Sequence, residues 1–455
     1  MILWNKIHRH FTALWKRAFV RDVFTLQVGS AFAYGFGFIK SIIIARLLGL
    51  EGFGVYAVAL SLTGVLKILT GFGQEQALVT YLAEKYRKND AQGMSVVFKY
   101  FCVMTLVAGS LLGLLAWLSP AIAEALYPQN AEAIGVMARV AFIAFIVSLP
   151  APLITSLLQV VRKVGRMTVL ENLNNVMQLL FSIGFILWGY GALGVFLGLL
   201  CSNIIMQVLY CIQFFLLRKQ YNLPSIRKSL LGAQSIAIYV KQGLWIAVDK
   251  NVVNLFPQAL LFIFSLFVGA SSVGVAQLAI KMSYLPAGLF LGQAVRMANS
   301  VLPSMKDQGV KHMRTHAVML IKHALLFHSL VVFSCIVALP FVVILAYGWE
   351  FQAVIIPMIF MLFARLLQPF NVANISLLRI FRKMHLATIY NTVRIALELL
   401  VFYLLLQHLP AFLPPTPFTA LVVAVYLHQI GAFGENFYVY RYILGMRLLR
   451  RRGNT

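Results

Sequence analysis

Apolar residues run through this chain in long stretches, and short basic segments separate one stretch from the next. Each stretch has roughly the 20 residues that an α-helix needs to cross a bilayer, so each is predicted to be a transmembrane helix. The twelve predicted spans cover residues 23–44, 53–72, 96–118, 134–158, 168–190, 192–216, 237–268, 273–300, 324–347, 353–378, 386–407 and 418–440. The expected fold class is an all-α integral membrane protein with about 12 transmembrane helices.

The distribution of charge predicts the orientation of these spans. Lys and Arg concentrate in alternate loops, whereas the other loops carry Glu51, Glu124, Glu132 and Glu350. Because cytoplasmic loops hold the excess of positive charge, both termini are expected in the cytoplasm. Residues 1–22 are expected to form a basic amphipathic helix on the inner membrane surface, with Trp4, Phe11 and Leu14 on its apolar face.

Composition agrees with a membrane protein and excludes several other classes. Of the 455 residues, 61% are hydrophobic and 11% are charged, whereas soluble domains carry about 25% charged residues. A soluble enzyme, a disordered tail and a fibrous protein are therefore excluded. The net charge of +25 reflects membrane topology, and no nucleic-acid partner is expected. The four cysteines lie in apolar runs without metal-ligand spacing, and they are interpreted as core residues.

The two halves of the chain repeat each other. One match joins GLEGFGVYAVAL (49–60) to GASSVGVAQLAI (269–280), through the pairs Gly49/Gly269, Gly54/Gly274, Val55/Val275 and Ala59/Ala279. A second match, at nearly the same offset, consists of the pairs Pro152/Pro369, Arg162/Arg379, Met167/Met384, Asn174/Asn391 and Val176/Val393. Each half has six spans and starts inside, so the two six-helix repeats are parallel, and a central cavity between halves is expected.

These boundaries define the predicted organisation. The chain divides into the N-terminal helix (1–22), a first six-helix half (23–217), a cytoplasmic linker (218–235), a second six-helix half (236–443) and a basic cytoplasmic tail (444–455).

Six basic residues lie deep inside the predicted spans. Burying each one costs about 2.5–3.5 kcal/mol, which a chain accepts when the residue faces water, a partner or a charged ligand. The six are Lys67, Arg139, Lys250, Lys281, Arg365 and Arg394. Since they outnumber the deep acids, the interior is expected to be net positive, and the six residues are predicted to bind an anionic substrate.

Three acidic residues within spans are candidates for coupling transport to Na⁺ or H⁺: Asp249, Glu171 and Glu398. For two of these acids, Glu398 and Asp249, the sequence also allows a purely structural role in an ion pair. Arg394 and Glu398 are four residues apart on one helix, and an internal ion pair is the favoured interpretation of them. Asp249 is expected either to exchange an ion near mid-bilayer or to form a fixed pair with a base on another helix.

The remaining sequence motifs give no indication of an enzymatic or metal site. The chain has no P-loop and no HExxH sequence, so neither ATP hydrolysis nor metalloprotease activity is expected, and no cofactor or metal is predicted. His312 and His316 are interpreted as interfacial residues. Pro152 and Pro369 occupy matching places in the two halves and are predicted hinges, because proline frees a backbone carbonyl within a span.

Three segments resemble Wzx-type lipid-linked oligosaccharide flippases of the multidrug/oligosaccharidyl-lipid/polysaccharide exporter superfamily. They are residues 45–90 (beginning ARLLGLEGFGVYAVAL), 268–282 (VGASSVGVAQLAIKM) and 347–360 (YGWEFQAVIIPMIF). The resemblance extends over about residues 23–445. It implies a multi-pass protein of the bacterial inner membrane that flips polyprenyl-pyrophosphate-linked oligosaccharide for O-antigen or other surface polysaccharide. It also implies alternating access, without enzymatic activity, and a polysaccharide polymerase or chain-length machinery as a partner.

The sequence leaves two alternatives to a flippase function open. A cation-coupled multidrug exporter of the same superfamily would have an acid-rich cavity, and this chain is poor in acids. A membrane glycan polymerase or ligase would need a catalytic outer loop. The longest outer loop, at about residues 119–133, holds Glu124 and Glu132 but is short.

Overall fold

The computed structural model describes residues 18–68, 70, 74–221, 223, 248, 251–292, 294–295, 298, 302, 309–381, 383–408 and 417–443. Throughout this part of the chain the regular elements are helices, which confirms the all-α fold class. The predicted N-terminal helix up to residue 17, most of the predicted linker and the tail at 444–455 lie outside the described residues.

Seven helices occupy the described N-terminal part of the chain. A 3₁₀ turn (Pro128–Asn130) joins the third helix to the fourth, and a π-helical turn (Ile186–Tyr190) joins the last two. The helices are α1 (Ala18–Ile68), α2 (Gln74–Arg87), α3 (Ala91–Leu126), α4 (Ala131–Ser148), α5 (Ala151–Val160), α6 (Val164–Phe185) and α7 (Gly191–Gln220).

Seven more helices are described in the C-terminal part. They are α8 (Asn251–Ser265), α9 (Ala270–Ser283), α10 (Val310–Val342), α11 (Ile355–Arg365), α12 (Asn374–Ile380), α13 (Met384–His408) and α14 (Pro417–Tyr438). Shorter helical turns connect or extend them at Ala287–Leu291, Val343–Tyr347, Trp349–Val354, Gln368–Asn371 and Val439–Ile443.

Each predicted span coincides, in whole or in part, with a described helix. By length and hydropathy, seven continuous helical stretches of the described chain qualify as spans. They become eight when Trp349–Arg365 and Gln368–Leu378, bent by 42°, count as one. This number is below twelve partly because Ala31–Ile68 and Val164–Gln220 each run through two predicted spans. Helices α8 and α9 are also shorter than a full crossing in the described residues.

Helix α1 is interrupted at Gly49, where φ is 66° and ψ is 178°. Glycine reaches this region of backbone space without the steric penalty that a Cβ atom would bring. The interruption lies between the first predicted span (23–44) and the second (53–72), so the two are separate segments within one long helical stretch.

The chain packs as two compact units. The first unit contains Met1–Leu47 and Leu69–Ala247, and the second contains Leu48–Ile68 and Val248–Thr455. The segment of α1 after Gly49 therefore packs with C-terminal helices, although chain order assigns it to the first predicted half. Packing and chain order differ by one helix, and the division of the sequence at the linker stays a prediction.

Each unit has its own apolar core. In the first unit, helices α2, α3, α5, α6 and α7 converge on fully buried side chains that include Leu82, Phe98 and Leu158. In the second unit, α10, α12 and neighbouring turns enclose Met313, Ala373 and other buried side chains. Side chains of this kind each contribute about 1.5–3 kcal/mol when they are fully buried.

The turn between α2 and α3, which is predicted to be cytoplasmic, is held by Asp90. Its Oδ1 atom accepts a hydrogen bond from the backbone N–H of Gly93 at 2.7 Å, and its Oδ2 atom accepts one from Lys85 Nζ at 3.1 Å. Both hydrogen bonds hold the pKa of the Asp90 carboxyl below its usual value, and the one from Gly93 contributes more than the one from Lys85. Asp90 is thus the N-cap of α3.

The repeat-related glycines Gly54 and Gly274 touch each other inside the second unit. A Cβ atom added to Gly274 would lie 3.1 Å from the Cα atom of Gly54, and one added to Gly54 would overlap the carbonyl of Ala270. Small residues allow helix backbones to approach this closely in a membrane. The sequence match between the halves therefore corresponds to a contact between α1 and α9.

A Gly54→Leu variant is expected to lose stability, because Leu would force α1 and α9 apart. Overpacking of this kind costs about 1–3 kcal/mol or more. The measurement is the unfolding temperature in detergent. The control is Gly35→Leu, on the same helix, where an added Cβ atom meets nothing within 4 Å. Equal unfolding temperatures for the two variants would contradict the proposed importance of this contact.

Candidate functional site

A buried charge cluster joins α13 to α14 in the second unit. Arg394 Nη1 donates to Glu398 Oε1 at 3.0 Å and to the His428 carbonyl at 2.9 Å. Arg394 Nη2 donates to Asn391 Oδ1 at 3.1 Å, and His428 Nδ1 lies 2.8 Å from Glu398 Oε2. One carboxylate thus binds a guanidinium and an imidazole at the same time. We call Arg394, Glu398 and His428 the charge cluster.

Helix geometry and a glycine position this cluster. Arg394 and Glu398 are one turn apart on α13, so their side chains meet on one face. A Cβ atom at Gly431 would crowd both Glu398 and Arg394, so the glycine lets α14 approach α13 at that level. From α8, the Phe256 ring stacks on the His428 ring with centroids 3.8 Å apart and planes 13° from parallel.

The cluster is shielded from solvent and carries exchangeable charge. The side chains of Arg394, Glu398 and His428 are 10%, 8% and 15% exposed. With a neutral imidazole, the carboxylate and guanidinium charges cancel. Protonation of the imidazole makes the cluster net positive. An imidazole that is hydrogen-bonded to a carboxylate can accept or release a proton, so the cluster has the groups needed for proton exchange.

Arg365, at the end of α11, is another buried cation among the described residues of the second unit, and it is 1% exposed. Its guanidinium lies 3.7 Å from the centroid of the Tyr284 ring, and its Nη2 donates to Ser283 Oγ at 3.4 Å. The His328 ring contacts the Arg365 carbonyl through Nε2 at 3.1 Å. Arg365 Nε and His328 Nδ1 have no hydrogen-bond partner within the part of the chain that the structure describes.

The described members of the six predicted substrate-binding bases are divided between the two units. Lys67 and Lys281 belong to the second unit and are exposed, whereas Arg365 of the same unit is buried and the Arg394 side chain is 10% exposed. Arg139 is exposed on α4 of the first unit. Lys250 lies outside the described residues.

The two described members of the three predicted coupling acids belong to different units. Glu398 belongs to the charge cluster of the second unit, and its i,i+4 ion pair with Arg394 has the geometry that the sequence spacing predicts. Glu171 is exposed on α6 of the first unit. Asp249 lies outside the described residues.

The paired prolines lie next to junctions between consecutive helices. Pro152 is in the first turn of α5, after the interruption that follows α4. Pro369 lies in the turn Gln368–Asn371 between α11 and α12, where the two parts of the span meet at 42°. The second half therefore bends a span near Pro369, whereas Pro128–Val160 in the first half is one continuous helical stretch, and hinge motion at either proline stays a prediction.

Two groups of polar residues escaped the sequence reasoning. His428 was missed because its partners lie on another helix, and only the fold brings them together. The amides of α6, within LENLNNVMQ (170–178), were missed because only ionisable residues were weighed. Three of the four residues at 172–175 are asparagine, which is unusual inside a membrane span. This concentration of amides is the sequence signal that indicates a polar site on α6.

The family model for polysaccharide biosynthesis proteins matches residues 19–305. No curated protein matches the chain.

Solved structures share the fold at low identity. An inward-facing multidrug resistance MATE family transporter of the MOP superfamily is 16% identical with a TM-score of 0.78, covering 90% of this chain and 95% of that chain. An outward-facing one is 16% identical with a TM-score of 0.67, covering 94% and 96%. A MOP superfamily transporter from Pyrococcus furiosus, described by the reverse polarity of its binding pocket, is 16% identical with a TM-score of 0.67, covering 95% and 97%.

The family match spans more than half of the chain, and the fold covers nearly all of it. The resemblance to the exporter superfamily is therefore confirmed, and with it a multi-pass membrane protein of about 12 helices. The chain belongs to the polysaccharide biosynthesis protein family, with the fold of the MOP superfamily transporters.

Proposed function

We propose that this protein flips a polyprenyl-pyrophosphate-linked oligosaccharide across the bacterial inner membrane, with both termini in the cytoplasm. The glycan serves a surface polysaccharide such as O-antigen, and a polymerase or chain-length machinery takes the product. Membership of the polysaccharide biosynthesis family supports the substrate class. The glycan and pyrophosphate cross through a cationic path by alternating access, while the prenyl tail stays in lipid.

The observation that carries this proposal is the state of Arg365. Its guanidinium is buried, and no carboxylate among the described residues lies within ion-pair distance of it. A cation kept in that state costs several kcal/mol, so its retention calls for a compensating function. A pyrophosphate supplies about two negative charges and would accept charge-assisted hydrogen bonds from the guanidinium.

We also propose that the charge cluster couples flipping to H⁺. The imidazole of His428 and the carboxylate of Glu398 share a hydrogen bond, so one proton can move on or off this pair. Na⁺ is the less suitable ion, because the guanidinium of Arg394 already occupies Glu398 Oε1 and would repel a second cation.

Multidrug export is the second candidate function, because two of the similar structures are MATE family transporters. Their fold is shared, and the charge of the buried side chains separates the two functions. A guanidinium such as that of Arg365, which has no carboxylate partner among the described residues, would repel a cationic drug and attract an anionic lipid-linked glycan.

Purified protein in liposomes distinguishes the two functions. Lipid-linked oligosaccharide placed in the inner leaflet is expected to become accessible to a glycosidase added outside, faster than in protein-free liposomes. An inside-to-outside pH difference should change this rate. A cationic dye should leave the liposomes only at the protein-free rate. Dye export without glycan flipping would establish drug export and overturn the proposal.

A further inference from the structure

Helix α6 carries a ridge of polar side chains on one face of the first unit. The ridge consists of Glu171, Asn174, Asn175 and Gln178, and we call it the α6 ridge. We propose that the three amides of the α6 ridge bind hydroxyl groups of the sugar portion of the substrate. The inference rests on the proposed function and extends it from the pyrophosphate to the glycan.

The position of the ridge on the helix excludes a purely lipid-facing role. Val169 and Leu180 are the most exposed apolar side chains of α6 between residues 164 and 185, at 66% and 62%. They mark the face turned to hydrocarbon. At about 100° per residue, the ridge lies roughly half a turn away from that face. Its residues are nevertheless half-buried or exposed, so they are not sealed within the core.

None of the three amides of the ridge has a hydrogen-bond partner among the residues that the structure describes. Asn174 Oδ1 is buried without a hydrogen bond. The side chains of Asn175 and Gln178 make no hydrogen bond to any described residue and are half-buried. Neighbouring Asn172 differs, because its Nδ2 donates to the Thr168 carbonyl at 3.0 Å and the Gly29 carbonyl at 3.5 Å. Leaving an amide unpaired away from water costs about 1–3 kcal/mol.

The second half of the repeat shows that the fold does not require these amides. Helix α13 matches α6, and Asn391, the counterpart of Asn174, accepts a hydrogen bond from Arg394. Thr392 stands at the position of Asn175 and donates to the Thr388 carbonyl at 2.8 Å. Ile395 stands at the position of Gln178 and is 2% exposed. At these three matched positions, amides without a partner among the described residues therefore occur in the first half and not in the second.

The chemistry of the ridge suits a sugar. A side-chain amide offers both a donor and an acceptor, and so does each hydroxyl of a sugar. The carboxylate of Glu171 on the same ridge disfavours a phosphate there and accepts hydrogen bonds from hydroxyls. A hydroxyl-rich, uncharged ligand is the class that this combination recognises.

The test replaces two amides with the residues of the second half, in the double variant Asn175→Thr with Gln178→Ile. Two substrates are compared in liposomes: polyprenyl pyrophosphate carrying the full oligosaccharide, and polyprenyl pyrophosphate without sugar. Neutral hydrogen bonds contribute about 0.5–1.5 kcal/mol each, so half-maximal flipping of the glycan substrate should need roughly tenfold more substrate. Flipping of the sugar-free lipid should be unchanged.

The control is Leu180→Ile, a conservative change on the lipid face of the same helix, which should leave both substrates unaffected. Unfolding temperatures verify that the double variant is folded. A double variant with unaltered glycan flipping, or with equal losses for both substrates, would overturn the glycan-binding role of the ridge while the flippase function stands. If the parental protein flips neither substrate, the proposed function fails, and this inference fails with it.

Discussion

A Glu398→Gln variant is expected to lose most of its folded protein. The substitution removes the carboxylate that binds both Arg394 and His428, and it leaves the buried guanidinium without a counter-charge. Breaking a buried ion pair from one side costs about 3–5 kcal/mol, a large share of the stability of a typical protein. The measurement is the monodisperse fraction in detergent, together with the unfolding temperature.

The control removes both charges at once. Replacing a whole buried ion pair by apolar residues is often neutral, and the first half of the repeat has Met177 and Phe181 at the matching positions. An Arg394→Met, Glu398→Leu double variant should therefore fold. In liposomes it should still exchange glycan lipid, but without a response to a pH difference. A response equal to the parental one would show that coupling does not use Glu398.

An Arg365→Met variant is expected to fold at least as well as the parental protein and to flip glycan lipid at least tenfold more slowly. The ring contact with Tyr284 contributes about 2 kcal/mol, which is less than the several kcal/mol that a buried, unpaired charge costs. Losing charge-assisted bonds to a pyrophosphate of about 1.5–3 kcal/mol weakens binding about tenfold or more. Unfolding temperature and flipping rate are measured on one preparation.

Arg365→Lys tests whether charge alone suffices. Lysine keeps the charge and loses the planar fork that binds phosphate at two points, so an intermediate flipping rate is expected. Parental flipping by the methionine variant would exclude Arg365 from substrate binding. A methionine variant that fails to fold would instead assign Arg365 a structural role.

The helices were predictable because a bilayer imposes a length of about 20 residues on each apolar stretch. The contact of α1 with α9 was visible in advance only as a matched pair of glycines, Gly54 and Gly274, since closeness of two helices is a property of their surfaces. The transfer of residues 48–68 to the second unit was not predictable. Chain order records which residues are connected, whereas packing depends on which faces fit.

The candidate site divides in the same way. The Arg394–Glu398 pair follows from spacing on a single helix. The inclusion of His428 depends on how closely α14 approaches at Gly431, and no spacing rule reports that distance. For Arg365, the sequence predicted a deep cation, but its burial against Tyr284 required the positions of α9 and α11. Contacts between helices are decided by packing, so they could not be read from one helix at a time.

During synthesis, the segment of α1 that follows Gly49 emerges long before the helices with which it packs in the second unit. Its partners in the second unit begin near residue 248, and at roughly 5–20 residues per second the ribosome needs about 10–40 s to supply the intervening chain. Throughout that interval the glycine face of the helix lacks the surface of α9 against which it packs in the finished protein. This helix can therefore reach its final packing only after the second unit has been synthesised. The second unit in turn cannot complete its packing without this segment from the N-terminal half of the chain.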